Sequence, residues 1–364
     1  MVDLDFYRGK RVFVTGHTGF KGAWMCRVLV NAGAQVTGYA LEPPTDPNLF
    51  SLADLERDMH SVIGDVRDRD ALQKAFREAA PEIVLHLAAQ PIVRTGYEEP
   101  AYTYETNVMG TVNLLECVRN AANTGVPPCS VVNITTDKVY LNREWCWGYR
   151  EDDPLDGFDP YSNSKSCSEL VTHSYCSSFF KAQGIPVSTA RAGNVIGGGD
   201  FARDRIIPDC VRAVIEKRPI IVRNPHSIRP YQHVLEPVMA YLMVAQRQAE
   251  EPSLAGWYNV GPDDQDCVTT GQLVDMFCRL WGEGASWENK GDPNAPHEAN
   301  FLKLDCAKLK STFGWQPRWH IEEALDMTCR WTKAWLHGEN IAVEMDAQIK
   351  NFAVDDGAKK HENH

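Results

Sequence analysis

The feature that most constrains the fold of this chain is a set of three glycines directly behind a short apolar segment. Residues 11–15 read RVFVT, a β-branched run typical of a buried strand. After it come Gly16, Gly19 and Gly22, and residues 21–31 then have a helical pattern. Strand, glycine turn and helix in this order bring backbone N–H groups at a helix N-terminus close to a pyrophosphate. The segment predicts a dinucleotide-binding turn, with a purely structural turn as the alternative.

The following segments continue the alternation of strand and helix. Further strands are predicted at residues 35–41, 83–87 and 131–135, and a helix is predicted to begin near Pro160 with Asp159 as its N-cap. This alternation is typical of α/β proteins with a parallel sheet. The predicted fold class is a Rossmann-type, doubly wound parallel sheet with a smaller C-terminal substrate-binding domain.

Composition excludes several classes of protein. The net charge of −12 argues against a nucleic-acid-binding protein, which normally has a basic surface. The eleven cysteines are scattered without any C-x-x-C pair, which favours free thiols in the cytoplasm over disulfides or a zinc site. We find no signal-peptide pattern and no apolar run long enough to span a membrane, and we predict no metal.

The second strand indicates which dinucleotide is bound. NAD-binding proteins usually place a carboxylate after this strand to hold the ribose hydroxyls, yet here Ala40 stands at the strand end and Glu42 lies two residues further on. No Lys or Arg occurs between Val36 and Glu56, so a 2′-phosphate would have no cationic partner. The cofactor is therefore predicted to be NAD. Asp65, after a third apolar stretch, is a candidate for the adenine amino group.

Tyr161 and Lys165 are candidates for catalysis. They are four residues apart near the start of a predicted helix and so share one face of it. A neighbouring ammonium favours the phenolate, and we expect Lys165 to lower the pKa of Tyr161 toward neutrality. Such a tyrosine can remove a proton from a sugar hydroxyl. Y-x-x-x-K alone is common, but it gains weight here because it follows a glycine turn and a strand ending in Thr135 and Thr136.

The order of these motifs resembles the extended short-chain dehydrogenases/reductases that act on nucleotide sugars. Thr136, Asp137 and Lys138 are similar to the triplet of the hexose 4,6-dehydratases, and lysine in third place is similar to their CDP-glucose branch. The segments that carry the resemblance are 86–90 (HLAAQ), 107–111 (NVMGT), 144–150 (EWCWGYR), 159–165 (DPYSNSK), 192–200 (AGNVIGGGD), 228–237 (IRPYQHVLEP) and 314–319 (GWQPRW).

The resemblance implies a set of site residues. The catalytic residues would be Thr136, Asp137, Lys138, Tyr161 and Lys165. NAD would contact Gly16, His17, Thr18, Gly19, Phe20, Gly22, Asp65, Val66, Leu87, Ala88, Ala89 and Thr106, together with Tyr161 and Lys165. The nucleotide sugar would contact Gln90, Asn194, Arg203, Arg229 and His233.

It also implies a mechanism in which the cofactor is recycled. Tyr161 would remove the C4 hydroxyl proton while hydride passes to NAD, and Thr136 would steady the same oxygen. Asp137, protonated through desolvation, would protonate the departing C6 hydroxyl, and a neutral Lys138 would remove the C5 proton. Hydride then returns to C6, which gives a 4-keto-6-deoxy sugar from CDP-glucose.

The family implies a homodimer or homotetramer, packed through helices near residues 103–119 and 161–180. The predicted domain boundaries are 1–190 for the NAD-binding domain with a returning segment near 230–260, 191–229 and 261–356 for the nucleotide-sugar domain, and 357–364 for a disordered tail. The Gly-, Pro- and Asp-rich segments 250–262 and 283–296 are predicted to be loops.

Three alternatives remain open from the sequence. The chain could be a 4,6-dehydratase for dTDP-glucose or GDP-mannose, because base recognition depends on loops that the sequence does not place. It could be a nucleotide-sugar 4-epimerase, although an epimerase has no need of Asp137 and Lys138 beside the threonine. A non-catalytic NAD-sensing or scaffold protein is disfavoured, because it could dispense with Tyr161 and Lys165 and both are present.

Overall fold

A computed structural model of the chain describes residues 2–291 and 301–354. The tail predicted at 357–364 lies outside the described residues. The strands are β1 (Arg11–Thr15), β2 (Gln35–Ala40), β3 (His60–Ile63), β4 (Ile83–His86), β5 (Ser130–Ile134), β6 (Val187–Ala192), β7 (Val195–Ile196), β8 (Ile220–Val222), β9 (Ile228–Pro230), β10 (Gln232–His233), β11 (Trp257–Val260), β12 (Cys267–Thr269) and β13 (Trp287–Asn289).

Helices separate these strands. They are α1 (Phe20–Asn31), α2 (Leu49–Leu52), α3 (Arg69–Ala79), α4 (Val93–Glu98), α5 (Pro100–Tyr104), α6 (Gly110–Asn123), α7 (Pro160–Tyr175), α8 (Lys181–Gln183), α9 (Ile206–Ile215), α10 (Leu235–Glu250), α11 (Thr270–Trp281), α12 (Ala307–Phe313), α13 (Ile321–Leu336) and α14 (Ile341–Val354). Two π-helical segments, Glu105–Met109 and Cys176–Phe180, join α5 to α6 and α7 to α8.

The centre of the fold is a seven-stranded parallel sheet with the strand order β11-β6-β5-β4-β1-β2-β3. Alternate side chains of β1 face opposite layers. Val12 and Val14 belong to a core with α1 and α10, whereas Phe13 belongs to a second core with Phe76 of α3 and Leu114 of α6. Helices therefore cover both faces of the sheet, and the predicted doubly wound Rossmann-type fold is confirmed.

The C-terminal part of the chain builds a third hydrophobic core beside the sheet. It unites Ile207 of α9, Ile220 of β8, Phe277 of α11 and Leu325 of α13. Three two-stranded pairs accompany it, β10 with β7, β12 with β9 and β13 with β8. Among the described residues, no helix is long and apolar enough to cross a membrane.

Two of the predicted loops contain strands. Residues 257–260 (WYNV) form β11, which pairs with β6 in parallel and closes one edge of the main sheet. Residues 287–289 form β13 beside β8. Both strands are short and lie among Gly, Pro and Asp residues, so local composition predicted a loop while pairing with a distant strand determined the structure. Residues 292–300 of the second predicted loop lie outside the described residues.

Candidate active site

The carboxyl ends of β1, β4, β5 and β6 lie along one edge of the sheet. The chain turns to opposite sides of the sheet at β1 and β4, because β2 is the neighbour of β1 on one side and β4 is its neighbour on the other. Ligands of such sheets bind in the crevice outside this switch point. The glycine turn follows β1, the HLAAQ segment ends β4, and the triplet that begins with Thr136 follows β5.

The glycine turn is built for close backbone approach. Gly16 has a φ of +78°, and a Cβ there would lie 2.8 Å from the backbone nitrogen of Ala88. A Cβ on Gly22 would lie only 2.0 Å from the carbonyl oxygen of Gly16. Gly19 is the N-cap of α1, whose first residue is Phe20. The helix N-terminus is therefore kept free of side chains at the point where a pyrophosphate would bind.

The residues beside this turn differ in what they offer a cofactor. The His17 ring is fully buried and forms a 2.7 Å hydrogen bond through Nε2 with Ser61 Oγ, so only its backbone belongs to the turn. Thr18 Oγ1 donates to the carbonyl oxygen of Leu41. Thr106 Oγ1 is buried and has no hydrogen-bond partner among the described residues. This orphaned hydroxyl, together with the glycine cradle, fits a dinucleotide with polar edges.

The ends of the second, third and fourth strands complete the cofactor region. Asp65 accepts hydrogen bonds from the guanidinium of Arg67, and these bonds hold the pKa of its carboxyl below the usual range despite partial burial. Val66 contacts the α6 start at Gly110, while Leu87, Ala88 and Ala89 follow β4 and are half-buried. Ala40 ends β2, so no acid stands at that strand end.

Helix α7 brings Tyr161 and Lys165 to the end of β5. Its N-cap is Asp159, whose carboxylate accepts from the Ser162 N–H at 3.0 Å, as predicted. Lys165 Nζ donates to the carbonyl oxygen of Ile134 at 3.0 Å. Tyr161 is hydrogen-bonded to Thr136. The predicted tyrosine and lysine thus meet the predicted threonine at one strand end.

The expected electrostatic effect on Tyr161 is wrong in direction. Burial raises the pKa of Tyr161 to about 12 and outweighs the lowering effects of its hydrogen bond with Thr136 and of the nearby charge of Arg205. Burial also lowers the pKa of Lys165 to about 8, against the opposite effect of Glu169. The spacing of the two residues was predicted correctly, but desolvation, which sequence spacing does not reveal, dominates the pKa of the phenol.

Asp137 is the most unusual carboxyl of the site. It is 1% exposed, its Oδ1 accepts from Thr136 Oγ1 at 3.0 Å, and its Oδ2 has no hydrogen-bond partner among the described residues. Burial raises its pKa, while the charges of Lys138, Arg229 and Lys21 act in the opposite direction. The predicted direction for Asp137 is therefore confirmed. Lys138 is half-buried next to it, in a single 3-10 turn that follows β5.

The predicted substrate residues are spread over different environments. Arg229 is buried and close enough to Asp137 to affect its pKa, and Asn194 is half-buried beside the hydroxyl of Tyr231. Gln90 is buried, and its amide donates to Thr103 Oγ1 and accepts from the Ile92 N–H.

Two of the predicted substrate residues face elsewhere. His233 is fully buried, with its ring between Trp24 and Trp319, so its assignment to substrate binding is corrected to a role in the core. Burial lowers the pKa of His233 to about 3. Arg203 is exposed. The inward-facing arginine of this segment is Arg205, which forms a 2.9 Å ion pair with the buried carboxylate of Asp200.

Two cations of the site were missed by sequence reasoning. Arg205 acts on the pKa of Tyr161, and Lys21 acts on that of Asp137, so both side chains reach the catalytic end of β5. Arg205 is one of several arginines between residues 203 and 229, but the sequence does not indicate which of their side chains point into the site. Lys21 lies inside the glycine motif, between Gly19 and Gly22, and the spacing of the glycines does not indicate that its side chain reaches the catalytic end of β5.

The sheet, the glycine turn and the tyrosine–lysine pair define a short-chain dehydrogenase/reductase of the extended type. The model of the GDP-mannose 4,6 dehydratase family matches residues 13–328, and the chain belongs to this family. It is 51% identical over 359 residues to a CDP-glucose 4,6-dehydratase of Salmonella typhimurium, with 97% of this chain and 98% of that protein covered.

Solved structures agree with this fold. A Thermus thermophilus UDP-glucose 4-epimerase in complex with NAD has a TM-score of 0.76 at 25% identity and covers 89% of this chain and 99% of its own. A Bacillus anthracis dTDP-glucose 4,6-dehydratase in complex with NAD has a TM-score of 0.74 at 21% identity and covers 91% of this chain and 99% of its own. The epimerase and the dehydratase thus share one scaffold, and the side chains at the strand ends must distinguish them.

Proposed function

We propose that this protein is an NAD-dependent lyase that dehydrates CDP-D-glucose to CDP-4-keto-6-deoxy-D-glucose. The observation that carries the proposal is the buried Asp137, whose raised pKa suits a proton donor, beside Thr136 and Tyr161 at one strand end. The 51% identity to the Salmonella CDP-glucose 4,6-dehydratase over nearly the whole of both chains supports the reaction and the nucleotide.

The residues at the glycine turn fit NAD. Backbone N–H groups from Gly16 to Phe20 would bind the pyrophosphate, and Asp65 and Thr106 would contact the polar edges of the nucleoside. The bound cofactor would supply the hydride acceptor for oxidation at C4 and the donor for reduction at C6. Lys165 would position the nicotinamide ribose from its place on α7 and add positive charge next to Tyr161.

The catalytic residues divide the proton transfers among them. Tyr161 would take the proton of the C4 hydroxyl as a phenolate, a form that burial opposes and that Thr136 and Arg205 favour, and Thr136 would also bond to the C4 oxygen. Once C4 is a ketone, the C5 proton becomes acidic and Lys138 would remove it. Asp137 would donate its proton to the C6 oxygen, so that the C6–O bond breaks and water leaves. The burial that raises the pKa of Asp137 favours the protonated form that a proton donor needs.

The diphosphate of the substrate needs cationic partners. Arg229 is buried at the site, and a guanidinium binds phosphate oxygens in bidentate fashion, so we assign the diphosphate to Arg229. Arg203, although exposed here, remains a candidate at the rim. Asn194 is a candidate for the sugar or the diphosphate. Residues 191–229 and 261–356, which include the third hydrophobic core, would form the nucleotide-sugar domain.

We also propose that the protein forms a homodimer through α6 and α7. Exposed apolar side chains lie on or beside these helices: Met109 just before α6, Leu170 in α7 and Phe179 in the π-helical segment after α7 are 50%, 52% and 39% exposed. Such surface is costly to leave in water.

All eleven cysteines are free, which supports a location in the reducing cytoplasm.

The proposed function is tested by incubating the purified enzyme and NAD with CDP-glucose in deuterated water. Parallel reactions contain dTDP-glucose, UDP-glucose or GDP-mannose, and mass spectrometry follows each sugar nucleotide. We expect CDP-glucose alone to lose one water and to gain one non-exchangeable deuterium. The same change with another nucleotide would keep the mechanism and overturn the substrate. Inversion at C4 without loss of water would identify an epimerase instead.

A further inference from the structure

Lys21 is a cation of the site to which the proposed mechanism gives no role. It is the second residue of α1 and therefore lies on the cofactor-binding turn, yet its side chain extends toward the end of β5. Its ammonium lies 5.8 Å from the ring centroid of Tyr241, which is fully buried in α10. Among the described residues it has no carboxylate within salt-bridge distance. A half-buried ammonium that is not committed to an ion pair can respond to charge that develops during a reaction.

The space that Lys21 faces contains two buried oxygens without partners. Asp137 Oδ2 and the Tyr241 hydroxyl make no hydrogen bond to any described residue. Both belong to one cluster, because the pKa of Tyr241 is raised first by burial and then by the neighbouring Asp137 and Tyr161. A Cβ on Gly193 would lie 3.2 Å from Asp137 Oδ2 and 2.6 Å from Cγ of Pro230, so only a glycine lets the chain pass this close to the carboxyl.

The charges around Lys21 come from four segments of the chain. Arg205 and Lys165 lie near it, and Asp137 is the acidic neighbour that acts on it. Burial, Arg205 and Lys165 lower the pKa of Lys21 to about 8, and Asp137 acts against them. Asp137 in turn faces Lys138 and Arg229 as well as Lys21. A carboxylate formed at Asp137 would thus gain its stabilisation from these cations.

We propose that Lys21 is a positioning residue for the elimination step, whose ammonium stabilises the carboxylate that Asp137 becomes when it gives up its proton. This inference rests on the proposed function. In that step the Asp137 O–H bond breaks and its proton passes to the C6 oxygen. Lys138 takes the C5 proton, the C5–H electron pair forms the C5=C6 bond, and the C6–O electron pair leaves with water. Charge develops on Asp137 in this step and not in the oxidation at C4, so Lys21 favours elimination selectively.

The test compares two phases of a single turnover of the NAD-loaded enzyme with CDP-glucose. Absorbance of the reduced cofactor reports oxidation at C4, and mass spectrometry of quenched samples reports loss of water. In Lys21→Met we expect the oxidation rate to stay within about twofold, and loss of water to slow by about tenfold or more. The reduced cofactor would then persist correspondingly longer than in the wild type.

Matched variants separate charge from structure. Lys21→Arg keeps the positive charge and should retain the wild-type ratio of the two rates, while Lys21→Gln should behave like Lys21→Met. Lys74→Met removes an exposed lysine of α3, remote from the site, and serves as the control. Equal slowing of both phases in Lys21→Met, no change in either, or an Arg variant that behaves like Met would overturn the inference. A wild-type enzyme that dehydrates no CDP-glucose would instead overturn the proposed function.

Discussion

Two buried carboxyls flank the end of β5, and they have opposite properties. Glu169 of α7 is fully buried, and it accepts hydrogen bonds from Thr135, Thr189 and Arg191. Although burial raises the pKa of Glu169, Arg191 and these hydrogen bonds outweigh it and lower the value to about 2. Asp137 is equally buried, but it accepts one hydrogen bond, and its pKa is raised.

The difference shows that burial alone does not determine the role of a carboxyl. Glu169 is saturated with partners, so it is a permanent charge that holds strands and helix together. Asp137 has cations nearby but an oxygen without a partner among the described residues, which is the basis for its proposed role as a proton donor. Glu236 of α10 is intermediate. Its Oε1 accepts from the backbone of Arg318 and Trp319, its Oε2 has no partner among the described residues, and burial raises its pKa to about 7.

The largest expected effect is on catalysis. Asp137→Asn keeps the shape of the side chain and removes its transferable proton, so we expect dehydration of CDP-glucose to slow by roughly 10² to 10⁴-fold. Because the Asp137 side chain accepts a single hydrogen bond, from Thr136, among the described residues, the free energy of unfolding should change by about 1 kcal/mol or less. Steady-state assays and urea unfolding measure the two quantities. An active Asn variant would contradict the role of proton donor.

Glu169→Gln should have the reverse effect, with a large loss of stability. It leaves the guanidinium of Arg191, which is 0% exposed, without its carboxylate, and such a loss costs about 3 to 5 kcal/mol. Urea unfolding at neutral pH measures it. Adding Arg191→Met to the same chain should restore part of the stability, because the unpaired charge is then gone. A single variant as stable as the wild type would show that the pair is not needed for folding.

The dependence of stability on pH should also distinguish a buried carboxyl with a lowered pKa from one with a raised pKa. The pKa of Glu169 is lowered from its ordinary value of 4.5 to about 2, so its contribution to stability is present above pH 4.5 and is lost as the pH falls toward 2. The pH dependence of the contribution of Glu236 to stability has the opposite sign. Its pKa is raised from 4.5 to about 7, so the stability associated with its protonated form is present below pH 4.5 and is lost as the pH rises through 7.

The substitution Glu236→Gln removes the pH dependence of stability that comes from ionisation of Glu236. Between pH 4.5 and about 8, we expect the stability difference between variant and wild type to shift in favour of the variant by about 3 kcal/mol, from 1.36 kcal/mol per pKa unit. Urea unfolding at both pH values measures the shift. Leu254→Ala, in the loop before β11, serves as a control with no titrating group. A constant difference across this range would mean that Glu236 ionises normally.

Local patterns in the sequence predicted one part of this site well. The glycine turn, the strands predicted at residues 11–15 and 131–135, and the Asp159 cap of α7 depend on residues close together in the chain, and the structure has each of them, the second strand at Ser130–Ile134. The turn and the cap are local because their hydrogen bonds and steric limits lie within a few residues. The dehydratase triplet also follows β5 directly, so its place at the sheet edge follows from strand direction.

The remaining part of the site depends on contacts between distant segments. Glu169 and Arg191 belong to α7 and β6, and nothing in their spacing distinguishes a buried pair from two surface charges. Arg205 approaches Tyr161 and Lys21 approaches Asp137, and both cations come from distant parts of the chain. The pKa of Tyr161 was predicted in the wrong direction for the same reason, since burial is a property of the whole fold. His233 was placed in the cleft although its ring packs in the core.

The smallest expected effects come from two neighbouring threonines, which make the sharpest test of the comparison. Thr135 Oγ1 donates to Glu169, whereas Thr136 Oγ1 is bonded to Asp137 and Tyr161. Thr135→Val removes a hydrogen bond to a buried charge and should cost about 1.5 to 3 kcal/mol of stability while the rate of the folded enzyme changes little.

Thr136→Val should show the opposite pattern. It should lower the rate of CDP-glucose dehydration by roughly 10 to 100-fold, because the reacting C4 oxygen loses its hydrogen bond with the Thr136 hydroxyl. The free energy of unfolding should fall by about 1 kcal/mol or less. Both variants exchange a hydroxyl for a methyl group at the end of β5, so their volumes match and each is the control for the other. If both lost the same stability and the same activity, the two carboxyls would form a single network. Separate losses, as we expect, would mean that one strand end carries a structural charge on one side and a transferable proton on the other.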